Sequence, residues 1–352
     1  MILLHTADLH LSSPMSARLT EERLLRRRHE LARMPEKLFS HGIEHGAEAV
    51  LLVGDVFDSD APAASAVSAF FEQVRRFPDV PFFYVPGNHE GDILENHAEL
   101  PRNLNVLADG ESVLLGAVRI LGARSPLTLT AMPTLPRDTY NVVLLHAAVG
   151  ERTDRDTVRL SDLDGKGIDY LALGHYHTYT LHETDGHMIA VYPGSPEGRG
   201  YDETGPRGYV LLDTDAKKHT FVCNSTRNVW DLAVDLTGAI TMQEAERAVQ
   251  KELAHAGAVR DDLVRITLVG RIAPHVLRDR EAALTARFGD SFFSFELRDR
   301  TRLLLNAADY AADPTLKGEF VRLLMSEDMD DALRERILAC GLTYLQEGGD
   351  ER

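Results

Sequence analysis

Four short fragments rich in aspartate and histidine, each directly after a brief apolar run, constrain this chain more than anything else in it. Asp8-Leu9-His10, Gly54-Asp55, Gly87-Asn88-His89-Glu90 and Gly174-His175-Tyr176-His177 all have this setting, and His146 ends a fifth such run. Continuous rather than alternating apolarity reads as a strand buried on both faces. Each fragment is then a loop at a strand end, and the fold must gather several strand ends in one place. Together they offer carboxylates, imidazoles and one amide. That is the ligand mix of a site for two divalent metals, which can clamp a phosphate ester and activate a water.

The apolar runs at 2–4, 49–53, 82–85, 118–121, 142–145 and 170–173 alternate with helical stretches at 21–45, interrupted at Pro35, and 62–76. Runs at 188–192 and 208–213 read as further strands closing the sheet. After about Arg227 the texture changes: strands at 230–236, 263–269 and 293–297 enclose helices near 242–256 and 274–288, with none of the metal-type fragments. Two amphipathic helices follow from Asp313, whose apolar stripes serve either packing in their own domain or docking of a partner, and the polar end at 347–352 is expected to fray. The expected domains are 1–227, catalytic; 228–300, a small α/β cap; and 301–352, a helical segment.

Length, 352 residues, suits two domains and a tail, and no run reaches transmembrane length. The opening apolar run is too short for a signal peptide, and the two cysteines lack metal or redox spacing, so a cytoplasmic protein with reduced thiols is expected. A net charge of −17 speaks against tight unassisted DNA binding, because nucleic-acid binders usually carry a basic face. It leaves room for a nuclease whose metals, or whose partner, meet the phosphate.

Asp8 and His10 straddle Leu9, so on an extended strand end both side chains would point the same way. His175 and His177 repeat that spacing. Asp55 has two oxygens and can bridge two cations, and Asn88 adds a neutral carbonyl where another carboxylate would overcharge the site. Nitrogen and oxygen donors without thiolate favour Mn²⁺, Fe or Zn²⁺ over a soft metal. The other histidines, such as His5, His29, His41, His45, His97, His182 and His187, lack this context and read as solvated or packing residues. Arg26-Arg27-Arg28 reads either as a contact to DNA backbone or as a solvated face, given Glu21, Glu22 and Glu30 beside it. Arg199 and Arg207 read as holding a turn through Asp202 or Glu203, or as a phosphate contact.

The set Asp8-x-His10, Gly54-Asp55, Gly87-Asn88-His89-Glu90, His146 and Gly174-His175-x-His177 resembles the full signature of calcineurin-like metallophosphoesterases, over roughly residues 1–200. The resemblance implies a four-layer α/β fold, a β-sandwich flanked by helices. It implies one metal held by Asp8, His10, Asp55 and His177, and another by Asp55, Asn88, His146 and His175. It makes His89 a non-ligand catalytic residue that steadies the transition state or protonates the leaving oxygen; Glu90 stands where the family often has aspartate. Residues 5–11, 54–58 and 192–205 are similar to SbcD-type DNA repair exonucleases. That implies a phosphodiester hydrolase acting on DNA ends by metal-hydroxide attack, with two divalent ions, Mn²⁺ first and Fe or Zn²⁺ as alternatives. It also implies a coiled-coil SbcC-type ATPase as partner, no membrane, and pairing into a homodimer. The alternative is a phosphodiesterase or phosphatase for a nucleotide or other small ester; a scaffold that has lost catalysis would be expected to lack some of these side chains.

Overall fold

The computed structural model describes residues 1–347 apart from 16, 18, 92, 96, 185–187, 273–279, 304–309 and 311. The chain divides into two compact units, Met1–Val229 and Trp230–Arg352. No helix among the described residues is long and apolar enough to cross a membrane.

In the first unit the chain runs β1 (Ile2–Thr6), α1 (Glu21–Glu44), β2 (Ala49–Val53), α2 (Ala64–Arg75), β3 (Phe82–Val85), β4 (Leu104–Val106), β5 (Ser112–Leu115), β6 (Val118–Ala123), α3 (Pro126–Ala131) and β7 (Tyr140–His146). It continues through β8 (Ala148–Val149), β9 (Thr157–Val158), β10 (Tyr170–Gly174), β11 (Thr180–Glu183), β12 (Ile189–Tyr192), β13 (Gly208–Asp213) and β14 (Lys218–Cys223). Two six-stranded sheets result, ordered β14-β13-β1-β2-β3-β4 and β11-β12-β10-β7-β6-β5. The period-2 alternation of a strand explains their stacking. Leu3, Ala49, Leu51 and Val53 face inward against Ile120, Val142, Leu144 and Ala172 of the other sheet. Their neighbours Leu4, Val50 and Leu52 face outward against Met34, Leu38 and Phe39 of α1 and Phe70, Phe71 and Val74 of α2. On the far side Val143, Leu145, Leu171 and Leu173 pack with Leu129 of α3 and with Leu163. Helix, sheet, sheet and helix make the four-layer α/β sandwich that the resemblance implies.

α1 differs from expectation in one respect. It is capped by Thr20, whose hydroxyl accepts the Arg23 N–H at 3.4 Å, and it runs unbroken through Pro35. Proline removes one backbone donor from the helix, but Met34, Pro35, Leu38 and Phe39 are all buried there, and that burial outweighs the lost bond.

The second unit contains β15 (Val229–Asp235), α4 (Met242–Ala256), β16 (Leu263–Val269), β17 (Arg271–Ile272), α5 (Arg280–Phe288), β18 (Ser294–Asp299), β19 (Arg302–Leu303), α6 (Leu316–Ser326) and α7 (Asp331–Glu347). α4 starts on a capping box, Thr241 with Glu244. α4 and α5 cover the sheet β15-β16-β18 through Val249, Leu253, Leu284 and Phe288 on Val264 and Ile266. Val321 and Leu324 of α6 meet Leu338 and Leu342 of α7. The expected helix start at 274–279 and the end at 348–352 lie outside the described residues, as does His187.

Phe70 is fully buried and packs edge-on against Phe57, 5.9 Å away, two residues past Asp55. Phe70→Ala should therefore destabilise the protein by about 3–5 kcal/mol, read as a fall in the urea midpoint at unchanged slope. A loss below about 1 kcal/mol would contradict the packing of α2 on this sheet.

Candidate metal centre

β1, β2 and β3 are parallel neighbours in one sheet, and β7 and β10 in the other, so their C-terminal ends converge. The segments after β1 and β2 are stitched together: Asp8 N–H donates to the Gly54 carbonyl at 3.1 Å, His10 N–H to Asp55 at 2.9 Å and Leu11 N–H to Val56 at 2.8 Å. Asp8, Asp55 and His10 are almost wholly buried there. The segment after β3 is anchored by Glu90, also buried, which accepts the N–H of Phe57 at 2.8 Å and of Gly87 at 3.3 Å.

The side chains do not converge by extended alternation, as the spacing of Asp8 and His10 suggests. Asp8 (φ 54°), His10 (φ 44°), Asp55 (φ 51°) and His175 (φ 112°) all have left-handed backbone. For non-glycine residues that conformation costs about 1–3 kcal/mol each, and such strain concentrates at functional sites. Two glycines give the centre its room. A Cβ at Gly54 would collide with the His146 ring and the Gly87 backbone, and one at Gly174 with the Val53 carbonyl and the same ring.

Three imidazoles share one design. His10 Nδ1 lies 2.9 Å from Asp58 Oδ1, His146 Nδ1 lies 2.9 Å from the Val53 carbonyl oxygen, and His177 Nδ1 lies 2.7 Å from Glu203 Oε1. These partners accept, so each Nδ1 carries the proton and each Nε2 turns inward. His10 Nε2 and His177 Nε2 are 3.1 Å apart. His146 Nε2 is 3.0 Å from Asn88 Oδ1 and 3.3 Å from Asp55 Oδ2, and Asp55 Oδ2 is 3.7 Å from His10 Nε2. Lone pairs facing lone pairs at these distances need a positive charge among them. The residues thus fit divalent cations, and two groups can supply three ligand atoms each: Asp8, His10 and His177, and Asp8, Asp55 and His146.

His175 joins neither group; its ring lies edge-on to His146 at 5.5 Å and its backbone N–H donates to Asp8 at 3.1 Å. His89 is 45% exposed at the mouth, 5.3 Å ring to ring from His10, with Nε2 3.9 Å from Asp55 Oδ2. The sequence singled out neither Asp58 nor Glu203 as a histidine partner. Asp58, three residues past Asp55, carries a usable signal in its closeness to the fragment; Glu203, twenty-six residues past His177, carries none without the fold.

The protein's own field shows the same crowding of acceptors. Burial raises the Asp8 carboxyl to about 6, against the pull of His146 and His177. Burial opposes ionisation of Asp55, yet the hydrogen bond and charge of His146 hold it down at about 2. Burial likewise disfavours charge on His146, but its hydrogen bond to Asp55 and the charges of Asp8 and Asp55 raise it to about 9. His10, pushed down by burial and then by Arg199, lies at about 4.

Two expectations outside the centre are corrected. Arg27 neither faces solvent nor touches DNA: it is fully buried, bonded to Glu197 at 2.8 Å and to the Gly198 carbonyl at 2.8 Å. His5 is likewise fully buried, not solvated, with Nε2 donating to the Leu173 carbonyl at 3.1 Å and Nδ1 accepting from Tyr170 at 3.0 Å.

The family model described as calcineurin-like phosphoesterase matches residues 1–179, more than half of the chain. The chain belongs to the calcineurin-like phosphoesterase family. The phosphoesterase is accordingly a metal-dependent hydrolase. It is similar to the DNA double-strand break repair protein Mre11 of Saccharolobus solfataricus, 25% identical over 59% of this chain and 59% of that one. It is also similar to Mre11 of Archaeoglobus fulgidus, 26% identical over 93% of this chain and 83% of the relative. The SbcD component of the nuclease SbcCD of Bacillus subtilis is 26% identical over 62% of this chain and 66% of its own. The phosphoesterase thus spans about three-fifths of the length of the Saccharolobus relative.

Burial depresses the His5 pKa to about 3, well below its unfolded value of about 6.5. Between those values the unfolded chain binds a proton that the folded one refuses, so stability is full above about pH 6.5 and falls as pH drops toward 3. The slope from this group is at most about 1.4 kcal/mol per pH unit. His5→Gln should flatten the acid limb of the stability curve, measured by urea unfolding between pH 6 and 4; an unchanged slope would contradict a neutral buried His5.

Proposed function

We propose that this phosphoesterase is a Mn²⁺-dependent phosphodiesterase that hydrolyses DNA at its ends, with Fe or Zn²⁺ as alternative metals. The observation that carries the catalytic part is the facing of acceptor on acceptor around Asp55. The assigned ligands are Asp8, His10, Asp55 and His177 for one cation, and Asp55, Asn88, His146 and His175 for the other. Bound there, two divalent cations would neutralise the non-bridging phosphate oxygens and lower the pKa of a water. Asp55 lies between both histidine sets and is the bridging carboxylate of this reading. His89 stands at the open side of the centre, where a leaving group must depart, and gives a proton to the leaving oxygen.

The DNA substrate is supported by the relatives, whose names are those of DNA repair and nuclease proteins. A cavity of about 360 Å³ beside His10, walled by Leu31, Ala69 and Phe70 and bordered by Arg28 and Arg199, leaves room for a nucleotide. The same relatives support a cytoplasmic setting and an SbcC-type coiled-coil ATPase as partner, which would also supply the grip on DNA that a chain of net charge −17 lacks. That acidity equally favours a second reading, a small-ester phosphodiesterase with no need of DNA.

The test is Mn²⁺-dependent hydrolysis of a labelled DNA duplex and of bis-p-nitrophenyl phosphate. Both should be cleaved, and His89→Ala should slow both by about 10²–10⁴-fold at unchanged metal content. Cleavage of the small ester alone, persisting after addition of the coiled-coil ATPase, would overturn the DNA reading. Loss of metal in the His89 variant would overturn its role as a non-ligand.

A further inference from the structure

The segment between β12 and β13 offers no metal ligand, yet it grips His177 at two points. Glu203, only 5% exposed, approaches His177 Nδ1 with Oε1 at 2.7 Å. Its Oε2 accepts the backbone N–H of Arg199 at 2.7 Å and that residue's Nε–H at 3.2 Å, and Arg199 Nη2 donates to Oε1. Arg207, also buried, donates to the His177 carbonyl oxygen and, at 3.1 Å, to the Ser195 hydroxyl. Ring and backbone of one histidine are thus held from a stretch more than twenty residues away.

The hydrogen-bond inventory decides what this grip does. Both carboxylate oxygens of Glu203 accept from Arg199, so the carboxylate is ionised and can only accept from the ring as well. The His177 proton is then confined to Nδ1, and the Nε2 lone pair is turned on the space shared with His10 Nε2, 3.1 Å off. His10 and His146 get the same service from Asp58 and the Val53 carbonyl, both beside Asp55 in the chain.

We propose that Glu203, clamped by Arg199, is the positioning residue of His177, and that it sets the tautomer and ring direction on which cation binding at the His10–His177 side depends. This rests on the reading of His177 as a metal ligand. The dependence is one-sided: His146 is oriented by Val53, so the cation position it shares with Asn88 does not use Glu203. Glutamine is the informative substitution. Its single amide oxygen goes to the Arg199 donors, its NH₂ then faces His177 Nδ1, and the ring must move its proton to Nε2, where it blocks the ligand atom.

The experiment is calorimetric titration of Mn²⁺ into full-length wild type, Glu203→Gln and His177→Ala, with ¹⁵N NMR of the histidine rings in the metal-free proteins. The expected result is two ions in wild type, one bound about 10–100-fold more weakly in Glu203→Gln and the other unchanged, with His177 shifting from the Nδ1–H to the Nε2–H form. Wild-type affinity at both positions in Glu203→Gln, while His177→Ala loses an ion, overturns the role of Glu203 and leaves His177 a ligand. Full binding by His177→Ala overturns the ligand reading and the proposal with it. Should Glu203→Gln fail to fold, the wild-type ring still decides: an Nε2–H His177 overturns the proposal and an Nδ1–H His177 supports it.

Discussion

Acceptors that face one another across about 3 Å are the constraint on which the first unit depends. Two buried carboxylates and three inward Nε2 lone pairs crowd one space. In a medium less polar than water such an arrangement is unfavourable unless positive charge sits within it. A proton can serve in part, which is why the His146 ring is held in its charged form well above the usual range. Divalent cations serve better, since each can satisfy several acceptors together.

Everything around the centre works to keep those acceptors from relaxing apart. Parallel strands deliver the loops to one edge, and three backbone hydrogen bonds lock the first two loops in register. Four left-handed residues hold strained backbone in place, and the strain persists only because packing such as Phe57 on Phe70 overdetermines it. The buried Glu90 belongs to the same scaffold: burial pushes its carboxyl up, but backbone N–H groups of the neighbouring loop meet it. Stability given up at the ligands is thus recovered in the sandwich core.

The strands that build this edge were readable because they are apolar on both faces: 49–53, 82–85, 208–213 and 263–269 are strands over those same residues. The edge strands were not. Ser112–Leu115 and Lys218–Cys223 alternate exposed and half-buried positions, and Leu104–Val106 has three residues, too few for a pattern. The fragments also pointed to the right neighbourhood for Asp8, His10, Asp55, Asn88, His146 and His177, since a cluster of ligand types at strand ends needs no alignment to be noticed. Their geometry was not legible. Left-handed φ at Asp8 and His10 is imposed by the loop-to-loop bonds, which depend on which strands are neighbours. Glu203 was hidden for the same reason, because only the sheet order brings its segment back beneath His177. Arg27 misled because a charge run normally faces water, whereas here Glu197 from a distant segment buries it.

The most direct measurement of the central claim is anomalous diffraction from crystals grown with Mn²⁺. The account predicts two manganese peaks within bridging distance of each other, both in contact with Asp55, one toward His10 and His177 and the other toward His146 and Asn88. A single peak, or two that do not share Asp55, would contradict it.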